Sequence, residues 1–440
     1  MHWLSKSAEA LINICTKKDH SDATVDVVVV GSGYGGAVAA LRFAEHGQTV
    51  YVLERGQEYV AGEFPNDLSQ IGKHVRSELA TPTGVTSQGY EEALFDFRIG
   101  LNAGALVGSG LGGGSLINAG VGLQPDERVF RQEDWPAALQ QENLDRWFEH
   151  ARAMHELQIP GQPAHGCTQP IDMTGTAKHQ RMRDLRGNAQ LGHNRPAGDK
   201  TTDIAFEVTP IAVQLDSPAR GDLGPRKPCI GCGDCVTGCN HHAKLSLTST
   251  YLPRAFTAGA EMFTGLTVLH VGHDPAGNQE FPWQIHFVRT GERKLQHDIE
   301  SRVRRESMPD ADTGEKSWIY TLRARRVVLG AGTFGSTEIL LRSRAKGLSL
   351  SNTALGMGVS GNGDDVSYAY DMHYTANAMG WGSKSAAQSV VGPTITGQIR
   401  FTDPHDVKRS TLIQDGAVPG LMKGVVHELL TTLEIGRAHV

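Results

Sequence analysis

An α/β fold is predicted for this chain of 440 residues, with one domain on a parallel sheet and a second, discontinuous α+β domain on an antiparallel sheet. Three observations predict it. Val25-Asp26-Val27-Val28-Val29-Val30 is a β-branched run that enters Gly31-Ser32-Gly33-Tyr34-Gly35-Gly36, then an alanine-rich helical segment, then a second strand ending at Leu53-Glu54. A second glycine-dense stretch occupies 108–120, and a third apolar strand, 327–331, runs into a loop and a helix over 336–342. Strand, glycine turn, helix and strand in that order form a Rossmann-like βαβ unit.

Each part of the unit has a physical task. Gly31 permits the sharp turn, Gly33 lets a pyrophosphate reach the backbone, and Gly36 lets the helix pack on the strand, aided by Ala37, Ala39 and Ala40. The helix start faces that space with free N–H groups. Glu54 ends the strand at 48–53, where a carboxylate accepts ribose hydroxyl hydrogen bonds and favours a ribose without a 2′-phosphate. An ordinary glycine turn would leave the helix and the acid about twenty residues on without a purpose, so dinucleotide binding is expected.

Composition narrows the class. The chain is 39% hydrophobic and 20% charged, ordinary for a soluble globular protein long enough for two domains. Its formal net charge of −6 gives no general attraction to nucleic acid or to anionic membranes. The basic runs at 302–305 and 323–326 are expected to be solvated faces. No apolar run reaches roughly eighteen residues, so no transmembrane segment is expected. The first residues lack the apolar core and cleavage site of a leader, 8–14 reads as an amphipathic helix, and a cytoplasmic location is expected.

The stretch Gly108-Ser109-Gly110-Leu111-Gly112-Gly113-Gly114-Ser115-Leu116-Ile117-Asn118-Ala119-Gly120 is too glycine-rich for a regular strand. Its embedded Leu111, Leu116 and Ile117 set it apart from a flexible linker. Backbone is expected to approach something flat or anionic there. With Val327-Val328-Leu329-Gly330-Ala331-Gly332-Thr333-Phe334-Gly335, the blocks 31–55, 108–125 and 327–341 follow one another as in the glucose-methanol-choline (GMC) oxidoreductases. Over roughly 22–430 the chain resembles that family, FAD enzymes that oxidise alcohols, and most of all its bacterial cholesterol-oxidase branch.

The resemblance implies a Rossmann-like FAD-binding domain from 21–65, 100–125 and 228–345, and a substrate domain on an antiparallel sheet from 66–99, 126–227 and 346–433, after an extension at 1–20. It implies that Gly31, Gly33 and Gly36 hold the FAD pyrophosphate and Glu54 the adenosine ribose. Gly114, Ser115 and Asn118 would lie along the flavin, and Val268, on a strand over 266–270, would clasp adenine. Val121 and Gln414 would face the substrate. The implied reaction is hydride transfer from the CH–OH group of a bulky apolar, sterol-like alcohol to flavin N5, with oxygen or another electron acceptor. Where the steroid oxidases carry an isomerising glutamate this chain has Gln414, and an amide shuttles no proton, so coupled isomerisation is not expected.

The family's histidine and asparagine motifs near the C-terminus are absent. The chain is therefore expected to be a fragment, with those catalytic groups beyond Val440, a non-native tail at 434–440 and weak or absent flavin retention. His373 is expected in a strand as a structural histidine. Two helices are expected over 132–157 around Trp135-Pro136, loops and short elements over 158–227, and strands at 283–288, 317–325 and 392–402.

The third feature is Cys229-Ile230-Gly231-Cys232-Gly233-Asp234-Cys235-Val236-Thr237-Gly238-Cys239-Asn240. Its spacing is that of a bacterial ferredoxin half-site, except that Asn240 stands where ferredoxins have proline. Only Cys15 and Cys167 remain elsewhere, so two clusters cannot form. Three readings are open: one [4Fe–4S] cluster on Cys229, Cys232, Cys235 and Cys239 or on three of them plus a remote ligand; a zinc or other structural site with His241 or His242; or reduced, metal-free thiols under a loop. The first suggests an alternative function, an iron–sulfur electron-transfer flavoprotein. A further alternative is an FAD-binding fragment without catalysis.

Overall fold

The computed structural model describes residues 4–16, 23–81, 84–101, 104–162, 172–190, 203–216, 225–291, 319–351, 354–361, 363–369, 373–383 and 389–432. Cys167, the basic run at 302–305 and the tail at 434–440 lie outside the described residues. In chain order the strands are β1 (Ser5–Lys6), β2 (Thr24–Val30), β3 (Val50–Leu53), β4 (Val75–Thr81), β5 (Gly84–Gly89), β6 (Phe95–Ile99), β7 (Gly104–Gly108), β8 (Asp203–Val208), β9 (Glu261–Phe263), β10 (Leu266–His273), β11 (Trp283–Arg289), β12 (Tyr320–Leu329), β13 (Gly397–Thr402) and β14 (Thr411–Gln414). The chain forms two compact units, Met1–Tyr59 with Ile71–Leu116 and Tyr251–Val366, and Val60–Gln70 with Ile117–Thr250 and Ser367–Val440.

The first unit is built on a seven-stranded sheet in the order β1-β9-β3-β2-β12-β11-β10. The strands from β1 to β12 pair in parallel, and β12, β11 and β10 continue as an antiparallel meander. Val27, Val28 and Val29 of β2 are each fully buried, as befits a central parallel strand covered on both faces. Val28 and Val30 share a core with Leu11 of the helix Ala8–Thr16 and Ile339 of the helix Gly332–Ala345. Val29 faces the helix Tyr34–Glu45 on the other side, which buries Ala37, Ala40 and Leu41. A second sheet in this unit runs β5-β4-β6-β7.

The α/β class, with a Rossmann-like unit at 24–53, is what the structure shows. The separate strands expected at 317–325 and 327–331 are one, β12. It pairs without interruption along β2 from Arg323 to Leu329, and the Arg325 guanidinium meets Asp26 of β2 at 2.9 Å. His373 is not in a strand but in an exposed bend.

Across β10 and β11 the imidazoles of His270 and His286 stack with centroids 4.3 Å apart. Burial, helped by His286, Lys346 and Arg342, pushes His270 from 6.5 down to about 3. A base with a depressed folded pKa binds fewer protons folded than unfolded, so stability is complete above the unfolded pKa and falls as pH drops from there towards 3. His270→Leu is expected to flatten the acid limb of a urea-midpoint profile in that window. A limb as steep as that of the parent would remove His270 as its source.

The second unit carries a three-stranded antiparallel sheet, β14-β13-β8. The helix Ala177–Gln190 packs on it, with Met182 against Ile204 and Ile399. Beside that contact Lys178 Nζ donates to Asp415 at 2.5 Å and to Thr396 Oγ1 at 3.0 Å, all three buried. Where two helices were expected around Trp135-Pro136 there are short helices at Glu127–Phe130 and Ala137–Gln141 and a longer one at Asp145–His155.

Candidate cofactor-binding site

The ends of β2 at Val30, β3 at Leu53 and β12 at Leu329 open on one cavity of about 710 Å3 within the first unit. A crevice beyond the carboxyl ends of parallel strands is where open α/β sheets take ligands. Gly31 has φ +88°, and a Cβ there would lie 2.7 Å from Gly330 O. A Cβ on Gly36 would stand 1.9 Å from Gly31 O, and one on Gly330 would stand 2.8 Å from Gly36 Cα. These three glycines let strand, helix and β12 meet backbone to backbone. Gly33, which caps the helix without a side-chain bond, has no heavy atom closer than 3.8 Å to a Cβ built on it. Its surroundings are therefore open where the first-turn N–H groups emerge.

The second glycine stretch touches the first. A Cβ on Gly113 would stand 2.9 Å from Gly33 Cα, whereas one on Gly114 would meet nothing within 4 Å. Ser32 pins the two loops together: its Oγ donates to Glu54 Oε2 at 2.6 Å, and Gly112 N donates to that Oγ at 2.9 Å. Ser32 N donates to the same Glu54 oxygen and Gly56 N to the other, both at 3.0 Å. The buried Glu54 carboxylate thus brackets the first turn, a task that sequence reasoning did not assign to it.

Of the expected residues, Gly31, Gly33, Glu54, Gly114 and Val268 line the cavity. Val268 adjoins a register shift in β10, a β-bulge of the kind found beside binding sites. Gly36 sits behind the cavity wall. Ser115 is buried, with its hydroxyl donated to Gly112 O at 2.7 Å. Asn118, Val121 and Gln414 belong to the second unit. There Asn118 Oδ1 accepts from Gly120 N at 3.1 Å, Val121 bridges Ile211, and Gln414 Nε2 donates to Gln398 Oε1 at 3.1 Å.

Two features of the wall were missed. Ser109 lines the cavity and is 4% exposed, and its hydroxyl has no partner. An orphaned buried hydroxyl costs about 1–3 kcal/mol unless a ligand satisfies it, so the wall fits a polar group. The second is an ion network in which the fully buried Asp96 accepts from Arg55 at 2.6 Å, Arg98 at 2.8 Å and Arg76 at 2.9 Å. Arg76 also bonds Glu91 at 2.8 Å and pairs with Glu78. Burial opposes the charge on Arg76, but Asp96, Glu78 and Glu91 outweigh it and push its pKa up. Arg76-x-Glu78 and Asp96-x-Arg98 share a face of β4 and β6, paired in register, and that two-residue period was the available signal.

An FAD-binding domain model matches residues 26–61, which cover most of β2, the helix Tyr34–Glu45 and β3. A cholesterol oxidase of Mycobacterium tuberculosis is 28% identical over 336 residues, 73% of this chain and 48% of that protein. A cholesterol oxidase of Acinetobacter baumannii is 26% identical over 344 residues, 78% and 54% of the two chains. An uncharacterised GMC-type oxidoreductase of M. tuberculosis is 25% identical over 270 residues, 60% and 35%. Over part of its length the chain is thus similar to cholesterol oxidases and to a GMC-type oxidoreductase. Residues 26–61 match the FAD-binding domain model, and the chain spans about half the length of the cholesterol oxidases it matches.

At the cysteine run the iron–sulfur expectation fails. Among the described residues no group of three or more His, Cys, Asp or Glu side chains is placed to hold a metal ion. That removes the [4Fe–4S] cluster and the zinc site from Cys229, Cys232, Cys235 and Cys239. The four line a cavity of about 20 Å3, room for roughly one water. Burial pushes the Cys229 and Cys232 thiols up, Cys232 to about 12, whereas metal ligands must be thiolates. The residues between the cysteines hold the loop instead. Asp234 accepts from Gly420 N at 2.6 Å and Gly382 N at 2.9 Å, and Asn240, the residue in place of proline, accepts from Gly62 N at 2.8 Å and Phe64 N at 3.1 Å. Among the described residues no helix is long and apolar enough to cross a membrane.

Proposed function

We propose that this protein is an FAD-dependent oxidoreductase acting on the CH–OH group of a bulky apolar, sterol-like alcohol, with FAD in the cavity of the first unit. One observation carries the cofactor reading: two glycine loops in backbone contact at Gly33 and Gly113 beside a 710 Å3 cavity whose wall holds the unpartnered Ser109 hydroxyl. The alcohol reading is supported by the names of the relatives, two of them cholesterol oxidases.

Gly31, Gly33 and the N–H groups that open the helix Tyr34–Glu45 would hold the pyrophosphate, with Gly36 setting the helix close enough to do so. Glu54 would take the ribose, Val268 the adenine, and Gly114, Ser115 and Asn118 the flavin side. The cofactor domain would be drawn from 21–65, 100–125 and 228–345, with Val121 and Gln414 on the substrate side. When bound, FAD supplies a hydride acceptor at flavin N5, reoxidised by oxygen or another acceptor. The chain's own part is to fix that cofactor, keep its phosphates on backbone donors and exclude water behind the Gly31–Gly36–Gly330 contact. Gln414, an amide already donated to Gln398, moves no proton, so alcohol oxidation without isomerisation is proposed.

Titration with FAD, followed by quenching of flavin fluorescence, tests the cofactor. Saturable quenching is expected, and Ser109→Ala should weaken it by roughly 0.5–1.5 kcal/mol. A chain that keeps its far-UV spectrum yet leaves flavin fluorescence untouched would refute the site. Anaerobic bleaching of the bound flavin by cholesterol but not by ethanol tests the alcohol class, and peroxide formed in air identifies oxygen as the acceptor.

A further inference from the structure

We propose that Cys235 and Cys239 form a modification site, a thiol pair that hydrogen peroxide closes to a disulfide across the turn between them. The inference is independent of FAD. Cys235–Thr237 is a single 3-10 turn, and Gly238, with φ +100°, donates its N–H back to Cys235 O at 3.3 Å. Cys239 follows directly after that turn, and its sulfur and that of Cys235 act on one another electrostatically. The Phe64 ring packs on Gly238, where a Cβ would lie 2.0 Å from it.

Both cysteines line the cavity of about 20 Å3, together with Lys244. Lys244 is buried, and its Nζ donates to Cys235 O at 3.0 Å and to Asn118 O at 2.6 Å. Its ammonium acts electrostatically on both sulfurs: burial lowers the Lys244 pKa to about 8, and Cys235 and Cys239 pull it back up. Burial likewise raises Cys235, with Lys244 opposing. Cys239 is only half-buried whereas Cys235 is buried. A partly exposed thiol beside a fixed cation is the environment of reactive cysteines, so Cys239 is the attacking thiol and Cys235 the resolving one.

The Cys239 thiolate attacks one peroxide oxygen, the O–O bond breaks, and the departing hydroxide leaves as water with the proton that Cys239 gave up. Cys235 sulfur then attacks the Cys239 sulfenic acid, the S–O bond breaks, and a second water leaves with the Cys235 proton. Two thiols and one peroxide become one disulfide and two waters, so the sulfurs are oxidised and the peroxide reduced. Cys15, in the core of the other unit, serves as an internal control, because burial pushes its thiol to about 12.

Treating the full chain with hydrogen peroxide, quenching with catalase, then alkylating in denaturant and mapping peptides by mass tests this directly. The expected result is loss of two alkylatable thiols, with Cys235 and Cys239 in one cross-linked peptide that dithiothreitol reopens, while Cys15 remains alkylated. In Cys239→Ser, Cys235 should stay alkylatable after the same treatment. A bridge to Cys229 or Cys232, oxidation of Cys239 to a sulfinic acid without a bridge, or full alkylation of all the thiols would each overturn the proposal.

Discussion

Gly36→Ala should break the first unit, whereas Gly35→Ala, one residue earlier on the same helix, should not. A Cβ at Gly36 would stand 1.9 Å from Gly31 O and 3.2 Å from Val29 Cγ1, and neither is the far end of a flexible chain. To make room, the helix Tyr34–Glu45 must lift from β2 and so withdraw its first-turn N–H groups from the cavity. Overpacking a rigid contact costs about 1–3 kcal/mol and sometimes more, and backbone atoms on both sides place this one at the upper end. At Gly35 a Cβ meets nothing within 4 Å, and alanine in a helix gains roughly 0.5–1 kcal/mol over glycine. Urea midpoints of the two variants against the parent, read by far-UV circular dichroism, measure the contrast. Equal midpoints for Gly36→Ala and the parent would mean that the strand–helix contact is looser than the structure shows.

Arg76→Met should have a comparable effect for an electrostatic reason. Among the described residues the guanidinium is the cation that pairs with the buried Glu91, and it is one of three around the fully buried Asp96. Removing one side of a buried ion pair leaves an uncompensated charge and costs about 3–5 kcal/mol. Asp96 keeps Arg55 and Arg98, so the greater burden falls on Glu91. The double variant Arg76→Met/Glu91→Gln should therefore recover part of the loss, and a double-mutant cycle on the urea midpoint reads the coupling. Simple addition of the two single effects would show that Glu91 does not depend on Arg76. The network also gives an acid limb. Burial opposes ionisation of Asp96, yet Arg55, Arg98 and Arg76 hold its pKa below the usual carboxylate range, so its contribution is present above the unfolded value and fades as pH falls through the lowered folded one.

Local periodicity made the βαβ unit legible. Four consecutive valines mark a strand buried on both faces, and the glycine spacing marks a turn that only missing side chains allow. The same reasoning failed for β12. Two strands are expected where there is one, because the continuity of 323–329 comes from pairing with 24–30, about three hundred residues away in sequence and one strand away in space. Likewise, His373 was expected in a strand and lies in an exposed bend.

The cysteine run shows where spacing stops being informative. Ligand spacing reports only which sulfurs could converge; whether they do so around a metal depends on the volume between them and on what else enters it. Here that volume is about 20 Å3 and Lys244 occupies part of its wall. Glu54 and Ser109 teach the same lesson in the cofactor site: the acid was visible, but its hydrogen bonds to Ser32 and Gly56 and the unpartnered hydroxyl across the cavity were not. Residues 24–54 specify the nucleotide-binding unit because steric and hydrogen-bonding rules over a few neighbours suffice for a turn, a strand and a helix start. Which carboxylate brackets a loop, which arginine neutralises it and whether four thiols enclose a metal depend on atoms brought together from distant segments, and only the packed chain sets those distances.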